Sequence, residues 1–253
     1  MMKSKMNFNS NSNKKAFALI EVLVIIIVVS FLIAAFIFIR ELNKNNSVKA
    51  FISQIAAFDN AIEQFYDKYD ALPGDIDYTV AFGLSETNTD GNNNGIIEDA
   101  NGGISKASGE ITNFWVHLSN SKFISQIFDG AENDNAKIGS TFPISKISVR
   151  KGITVYYYNG KNYYQVGVVE ADKNGIVMSD NSLKVLESFN IDIKIDDGLP
   201  ASGRVIVVGG KSVNGIYEDT NCVVNKEYNT TINTPSCQLR IEFGTTGSIL
   251  SPI

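Results

Sequence analysis

The residues with the strongest claim to chemistry lie in one short run, Asp90-Gly91-Asn92-Asn93-Asn94-Gly95-Ile96-Ile97-Glu98. Oxygen-bearing side chains at its first, third and fifth positions, glycine at the sixth and an apolar residue at the eighth match the opening of a calcium loop. Alternate side chains can converge on one cation there, while glycine permits the sharp turn. The twelfth position is Asn101 rather than a bidentate glutamate, so Asp90, Asn92 and Asn94 would need Glu98 or Asp99 to complete the shell. With one carboxylate among the first three ligands, such a site would bind weakly outside a calcium-rich compartment. An ordinary Asn/Gly-rich turn explains the same residues without an ion. Both readings stand at this point.

Other chemistry is scarce. His117 is the only histidine, which removes two-histidine metal sites and leaves a single base for any Ser- or Cys-based triad. No nucleophile signature accompanies it, so a structural role is expected. Asp196 and Asp197 could act as a general acid/base pair, but on a strand adjacent residues point to opposite faces. A turn, or a minor contribution to a calcium site, fits them better. Cys222 and Cys237 stand fifteen residues apart. If the body is exported they form a disulfide, and closing a loop of that size would stabilise by roughly 3 kcal/mol; in the cytosol they are two free thiols. The chain is not expected to be an enzyme, and no cofactor other than the candidate calcium is required.

Charge is unevenly placed. Of 22 basic residues, Lys3, Lys5, Lys14 and Lys15 fall in the first sixteen, where there is no acid, so the remainder carries 18 against 27 acidic residues. So acidic a body repels phosphate backbones, and nucleic acid is not an expected partner. After the basic flank, Phe17–Ile39 reads FALIEVLVIIIVVSFLIAAFIFI, with Glu21 as its single charge. As a helix it spans about 35 Å, enough for a hydrocarbon core of roughly 30 Å. It is too long for a signal-peptide apolar region, and no Ala-x-Ala site closes it. The basic flank would stay in the cytoplasm, with everything after Arg40 exported. A carboxylate inside a membrane helix is costly, and a functional partner is the default explanation.

Lys14-Lys15-Ala16-Phe17-Ala18-Leu19-Ile20-Glu21 resembles the cleavage and methylation motif of type IV prepilins and secretion pseudopilins. The resemblance implies that a prepilin peptidase cuts after Ala16 and methylates the new amine of Phe17. It also implies that Glu21 is an assembly residue, neutralised in a helix bundle by the Phe17 amine of a neighbouring subunit. The family usually has glycine where Ala16 stands, and many major pilins carry Gly and Pro in the apolar helix. This stretch has neither, so an unbroken helix and a minor subunit are expected.

Beyond Arg40, Phe51, Ile55, Phe58, Ile62, Phe65 and Tyr69 recur at steps of four and three, an apolar stripe along one helix face. Pro73-Gly74 is a stop signal. The apolar residues Ile111, Phe114, Trp115 and Leu118 predict a short amphipathic helix, and Leu183–Phe189 another. Ile153–Tyr158 and Asn162–Val169, joined at Asn159-Gly160, predict a hairpin. Its aromatic run packs across strands in the ordinary reading and forms a carbohydrate or nucleic-acid stacking platform in the alternative. A further strand is expected at Val205–Val208. The sequence therefore predicts a basic leader (1–16), a transmembrane helix half (17–39), an amphipathic half (40–70) and an exported head (71–253). The fold class is α+β, a long N-terminal helix packed on an antiparallel sheet, as the pilin resemblance also implies. The expected role is a filament subunit of a type IV pilus or secretion pseudopilus, spanning the inner membrane once before it assembles with other subunits. A membrane-anchored exported enzyme or binding module, and a DNA-uptake pilin, are the competing roles.

Overall fold

The computed structural model describes residues 10–77, 91–104, 106–167, 169–170, 176–177, 183–208, 211–213, 216–218 and 221–243. Within these, only the backbone is described at 10–19, 38–45, 169–170, 176–177, 211–213 and 216–218. The chain forms two compact units, Met1–Asn46 and Ser47–Ile253.

Helix α1, Ser10–Tyr69, is unbroken, as a stretch without Gly or Pro between Phe17 and Ile39 allows. It begins ahead of Phe17, so the Ala16–Phe17 peptide bond lies within helical backbone. From Ile20 to Ile37 every residue is exposed. In the second unit the expected stripe is buried. Phe51, Ile62 and Phe65 are fully enclosed, Ile55, Phe58 and Tyr69 nearly so, and Val48 extends the stripe one step back. Lys49, Asn60, Gln64 and Lys68, off the stripe, are exposed. Helix α1 ends where predicted. Asp70 takes a positive φ of 53° and Gly74 one of 89°. A Cβ on Gly74 would lie 2.5 Å from the carbonyl oxygen of Glu110, so only glycine fits the turn there.

Helix α2, Glu110–Asn120, is buried from Glu110 through Ser119. The predicted helix is present, but it is enclosed on all sides rather than along one apolar face. Its own period shows which residues are apolar and cannot show how many neighbours close around it. Trp115 meets Phe58 of α1 edge-on at 4.9 Å, and Phe114 meets Phe243 at 5.5 Å.

The hairpin forms, with β1 Gly152–Tyr158 and β2 Lys161–Gly167 in register from Gly152 opposite Gly167 to Tyr158 opposite Lys161; its second strand ends at Gly167 rather than running to Val169, which pairs elsewhere. Asn159 and Gly160 both have positive φ, the requirement of a two-residue turn that follows the strand twist. Two short pairs follow the strand order of the chain: β3 Val169–Glu170 with β4 Ile176–Val177, and, later, β7 Lys211–Val213 with β8 Ile216–Glu218. Strand β5, Leu183–Lys184, leads directly into helix α3, Val185–Ile195. Helix α3 therefore starts later and runs further than predicted. The alternation Ile191, Ile193, Ile195 imitates a strand, but Val185, Ser188, Ile191 and Asp192 are the buried set, at helical spacing. Asp196 and Asp197 consequently lie in the turn after a helix, not on a strand.

Strand β6, Val205–Val208, forms as predicted. After the short pair β9 Val223–Val224 and β10 Glu227–Tyr228 comes β11, Pro235–Glu242, which the sequence reading missed. It joins the main sheet together: antiparallel to β2 on one side, to β6 on the other, and to β5 through Pro235 and Cys237. Cys237, Leu239 and Ile241 are buried at period two, so the signal was present among polar neighbours. The head is an α+β unit with α1 and α2 packed against an antiparallel sheet.

Candidate functional site

In the first unit, Ile20–Ile37 is one helical segment long and apolar enough to cross a membrane. Its 18 residues span about 27 Å. Ser30 does not interrupt it, because its hydroxyl donates to the carbonyl of Ile26 at 2.7 Å and so carries no unpaired proton into the apolar zone. Glu21 is exposed and makes no hydrogen bond or ion pair among the described residues. The backbone of Ala16 and Phe17 is helical, while their side chains lie outside the described residues.

In the second unit, Asn92, Asn94 and Glu98 share one loop, and Asp90 lies outside the described residues. Asn92 Oδ1 accepts from the Asn94 amide at 3.1 Å and Asn94 Oδ1 from the Ile96 amide at 2.8 Å. These side-chain turns, with positive φ at Asn93 and Gly95, give the run its curl. Two carboxylates that the sequence did not single out complete the loop. Asp75 accepts from the Asn94 and Gly95 amides at 3.1 and 2.7 Å. Glu110 accepts from the Asn92 and Glu98 amides at 3.3 and 3.1 Å. Gly91 is pressed so closely on Asp75 that a Cβ would overlap its backbone. Asn162, from the hairpin, brackets the far side, donating to the Gly95 carbonyl and accepting from the Ile97 amide.

The electrostatics follow from this enclosure. Burial pushes the Glu110 carboxyl up to about 8, with the charges of Asp75 and Glu98 adding to the shift against the amide donors. Burial also raises Asp75, partly offset by the amides it accepts from. Asp75 follows Pro73-Gly74 and Glu110 opens α2, so only tertiary packing brings either to the loop; no local pattern could have found them.

Among the described residues, three carboxylates come within 4.8 Å of one another elsewhere, at Asp192, Asp196 and Asp197. Their oxygens close the turn after α3. Asp192 accepts from Tyr228 Oη at 2.7 Å and the Gly198 amide at 3.1 Å. Asp196 accepts from the Arg204 and Val205 amides. Asp197 accepts from the Leu199 amide and from Ser202 Oγ at 2.7 Å. Asp196 and Asp197 thus lie in a turn, one of the two placements that the sequence reading gave them.

His117 is buried in the head. Its Nδ1 accepts from the Gly74 amide at 2.9 Å, and its ring stacks on Phe65 at 6.3 Å. Cys222 and Cys237 are bonded, with Cα atoms 5.1 Å apart, which ties the β9–β10 region to the central strand. Taken together, these features define the class: an α+β head closed by a disulfide, in a chain with, among the described residues, one helical segment long and apolar enough to span a membrane. No family model, curated protein or solved structure matches the chain.

Proposed function

We propose that the chain is a subunit of a type IV pilus or a type II secretion pseudopilus, a minor pilin or pseudopilin assembled through α1. One observation carries the reading: a single acid, Glu21, stands at the start of an otherwise apolar segment, behind Lys14-Lys15-Ala16-Phe17. Glu21 has no partner among the described residues, and burying its carboxylate in lipid or in a bundle is costly unless a cation offsets the charge. The α-amine that peptidase cleavage would create at Phe17 is such a cation. In this reading the leader is Met1–Ala16, the head lies outside the inner membrane, where a disulfide persists, and the heads form the filament surface. Mass spectrometry of the mature N-terminus tests the processing. N-methyl-phenylalanine at Phe17 is the expected product, and an intact Met1 in assembled material would sink the proposal. Glu21→Ala should abolish incorporation into filaments while leaving the head folded.

A second reading, weak calcium binding at the 90–98 loop, gains support from Asp75 and Glu110. They bring two carboxylates beside a motif whose own ligand set is short of them, each with both oxygens accepting from amides of the loop. After treatment with chelator, added calcium should raise the melting temperature of the head more than added magnesium does. An unchanged melting curve would leave the loop as a plain turn closed by protein carboxylates.

A further inference from the structure

A pocket of about 220 Å³ opens beside the turn of the β1–β2 hairpin. Its polar lining consists of Tyr158, Asn159, Tyr163, Lys226 and Arg240, and no acidic side chain lines it among the described residues. That is notable in a chain with more acids than bases. Tyr156, Tyr158, Tyr163 and Arg240 occupy the sheet face opposite to Val155, Tyr164 and Ile241, which point into the core. The aromatic run of the hairpin therefore serves two surfaces, and its outward half gathers around one guanidinium.

Arg240 is only 7 % exposed. Its guanidinium carbon lies 3.9 Å from the ring centre of Tyr158, 5.1 Å from that of Tyr163 and 5.4 Å from that of Tyr156. Its Nε donates to Tyr156 Oη at 3.0 Å. No carboxylate pairs with it among the described residues. Arg204, also partly buried, is bound to Asp59 at 2.5 Å. Glu242, two positions along β11 from Arg240, is held by Lys161 at 2.7 Å. An enclosed guanidinium with no counter-anion is costly, and the tyrosine faces offset only part of that cost. Lys226, exposed at positive φ in the turn between β9 and β10, brings a second cation to the same pocket.

We infer that this pocket binds a single sugar ring bearing a carboxylate, an acidic monosaccharide unit. The carboxylate matches the planar fork of Arg240, whose remaining N–H groups have no partner among the described residues. The apolar side chains of Pro200, Ala201, Ile206, Val207 and Val223 line the same pocket and suit the apolar side of a pyranose, and the Asn159 amide offers a partner to its hydroxyls. The volume falls below the ~300 Å³ at which pockets for drug-sized ligands begin, so it suits one ring. A free inorganic anion would use the cations and waste the apolar walls. The inference needs only the folded head and stands whether or not the chain assembles into filaments.

The test is calorimetric titration of the full chain, in a detergent without a sugar headgroup, with glucuronate, glucose, acetate and inorganic phosphate as probes. Glucuronate should bind saturably, and glucose, acetate and phosphate should each bind at least about tenfold more weakly. Arg240→Gln should weaken glucuronate by about tenfold or more. Lys226→Glu, on an exposed turn, should weaken it by about threefold while leaving the melting temperature unchanged. Absence of saturable glucuronate binding overturns the inference, as does equal binding of any of the other three probes. Should Arg240→Gln fail to fold, Lys226→Glu decides: weaker binding supports the site, and unchanged binding overturns it.

Discussion

Two stretches of α1 solve opposite solvent problems with similar residues. Between Ile20 and Ile37 the apolar side chains point in every direction and all are exposed, a pattern with no preferred face that suits a hydrocarbon surround. Between Val48 and Tyr69 the apolar residues keep to one face, and that face is buried by the head while charged and amide residues hold the other. Each stretch also carries an acid near its apolar residues. Glu21 has no described partner, whereas Asp59 is paired with Arg204 at 2.5 Å and accepts from Tyr164 Oη at 3.2 Å. The difference teaches that hydrophobic content alone does not say what a helix is for. Periodicity identifies the surface a helix packs on, and the state of its acids indicates whether that surface is already supplied by the chain.

The largest expected effect separates the two stretches by packing. Phe65→Ala removes a fully buried ring that touches Tyr69 at 4.5 Å and should cost about 3–5 kcal/mol. Phe31→Ala, at a position 73 % exposed, should change head stability by no more than about 0.5 kcal/mol. Trp115 is the sole tryptophan and is fully buried in the head, so its fluorescence during denaturation of the detergent-solubilised chain reports on the head alone. Equal losses from the two substitutions would break the comparison.

A smaller effect separates them by charge. Asp59→Asn leaves Arg204 partly buried without its anion and should cost the head about 1–3 kcal/mol. Glu21→Gln should leave the same fluorescence transition within about 0.5 kcal/mol, while removing whatever contact Glu21 makes with another molecule. A head destabilised by Glu21→Gln would mean that this acid serves the fold, and the contrast with Asp59 would fail.

What could be read from the sequence follows the range of each interaction. The stripe from Phe51 to Tyr69, the Asn159-Gly160 turn and the stop at Pro73-Gly74 are local patterns, and all three appear as expected. Strand β11 was equally local, with Cys237, Leu239 and Ile241 alternating, but polar residues between them and an Asn/Thr-rich approach hid it. Helix α3 shows the converse, since Ile191, Ile193 and Ile195 alternate like a strand and fold as a helix. That two-residue spacing cannot outvote the burial of Val185, Ser188 and Asp192 on one side. The loop at 91–99 was visible as a turn or ion site, yet the acids that close it, Asp75 and Glu110, arrive from separate elements. Arg240 was invisible as a site residue for the same reason. Its tyrosine surround exists only once β11 is placed beside β2.

An effect seen only on changing the pH extends the comparison to a third acid. Asp192 is fully buried, like a core residue, yet its partners are neutral donors: Tyr228 Oη and the Gly198 amide. Burial raises its carboxyl from an ordinary 3.8 to about 6, the tyrosine and amide donors pulling the other way. A carboxyl whose folded pKa lies above its unfolded value keeps its proton better in the folded state. Its contribution to stability is therefore full below about pH 4 and is lost as pH rises through about 6. Asn in its place can accept from the Gly198 amide and donate to Tyr228 Oη without titrating. Melting curves at pH 4 and pH 7 should then show the wild type losing about 5–10 °C relative to Asp192→Asn as pH rises. A constant difference between the two proteins would mean that Asp192 is ionised in the fold throughout. It would then belong with Asp59, an acid paired with an arginine, rather than with the carboxyls whose pKa burial raises.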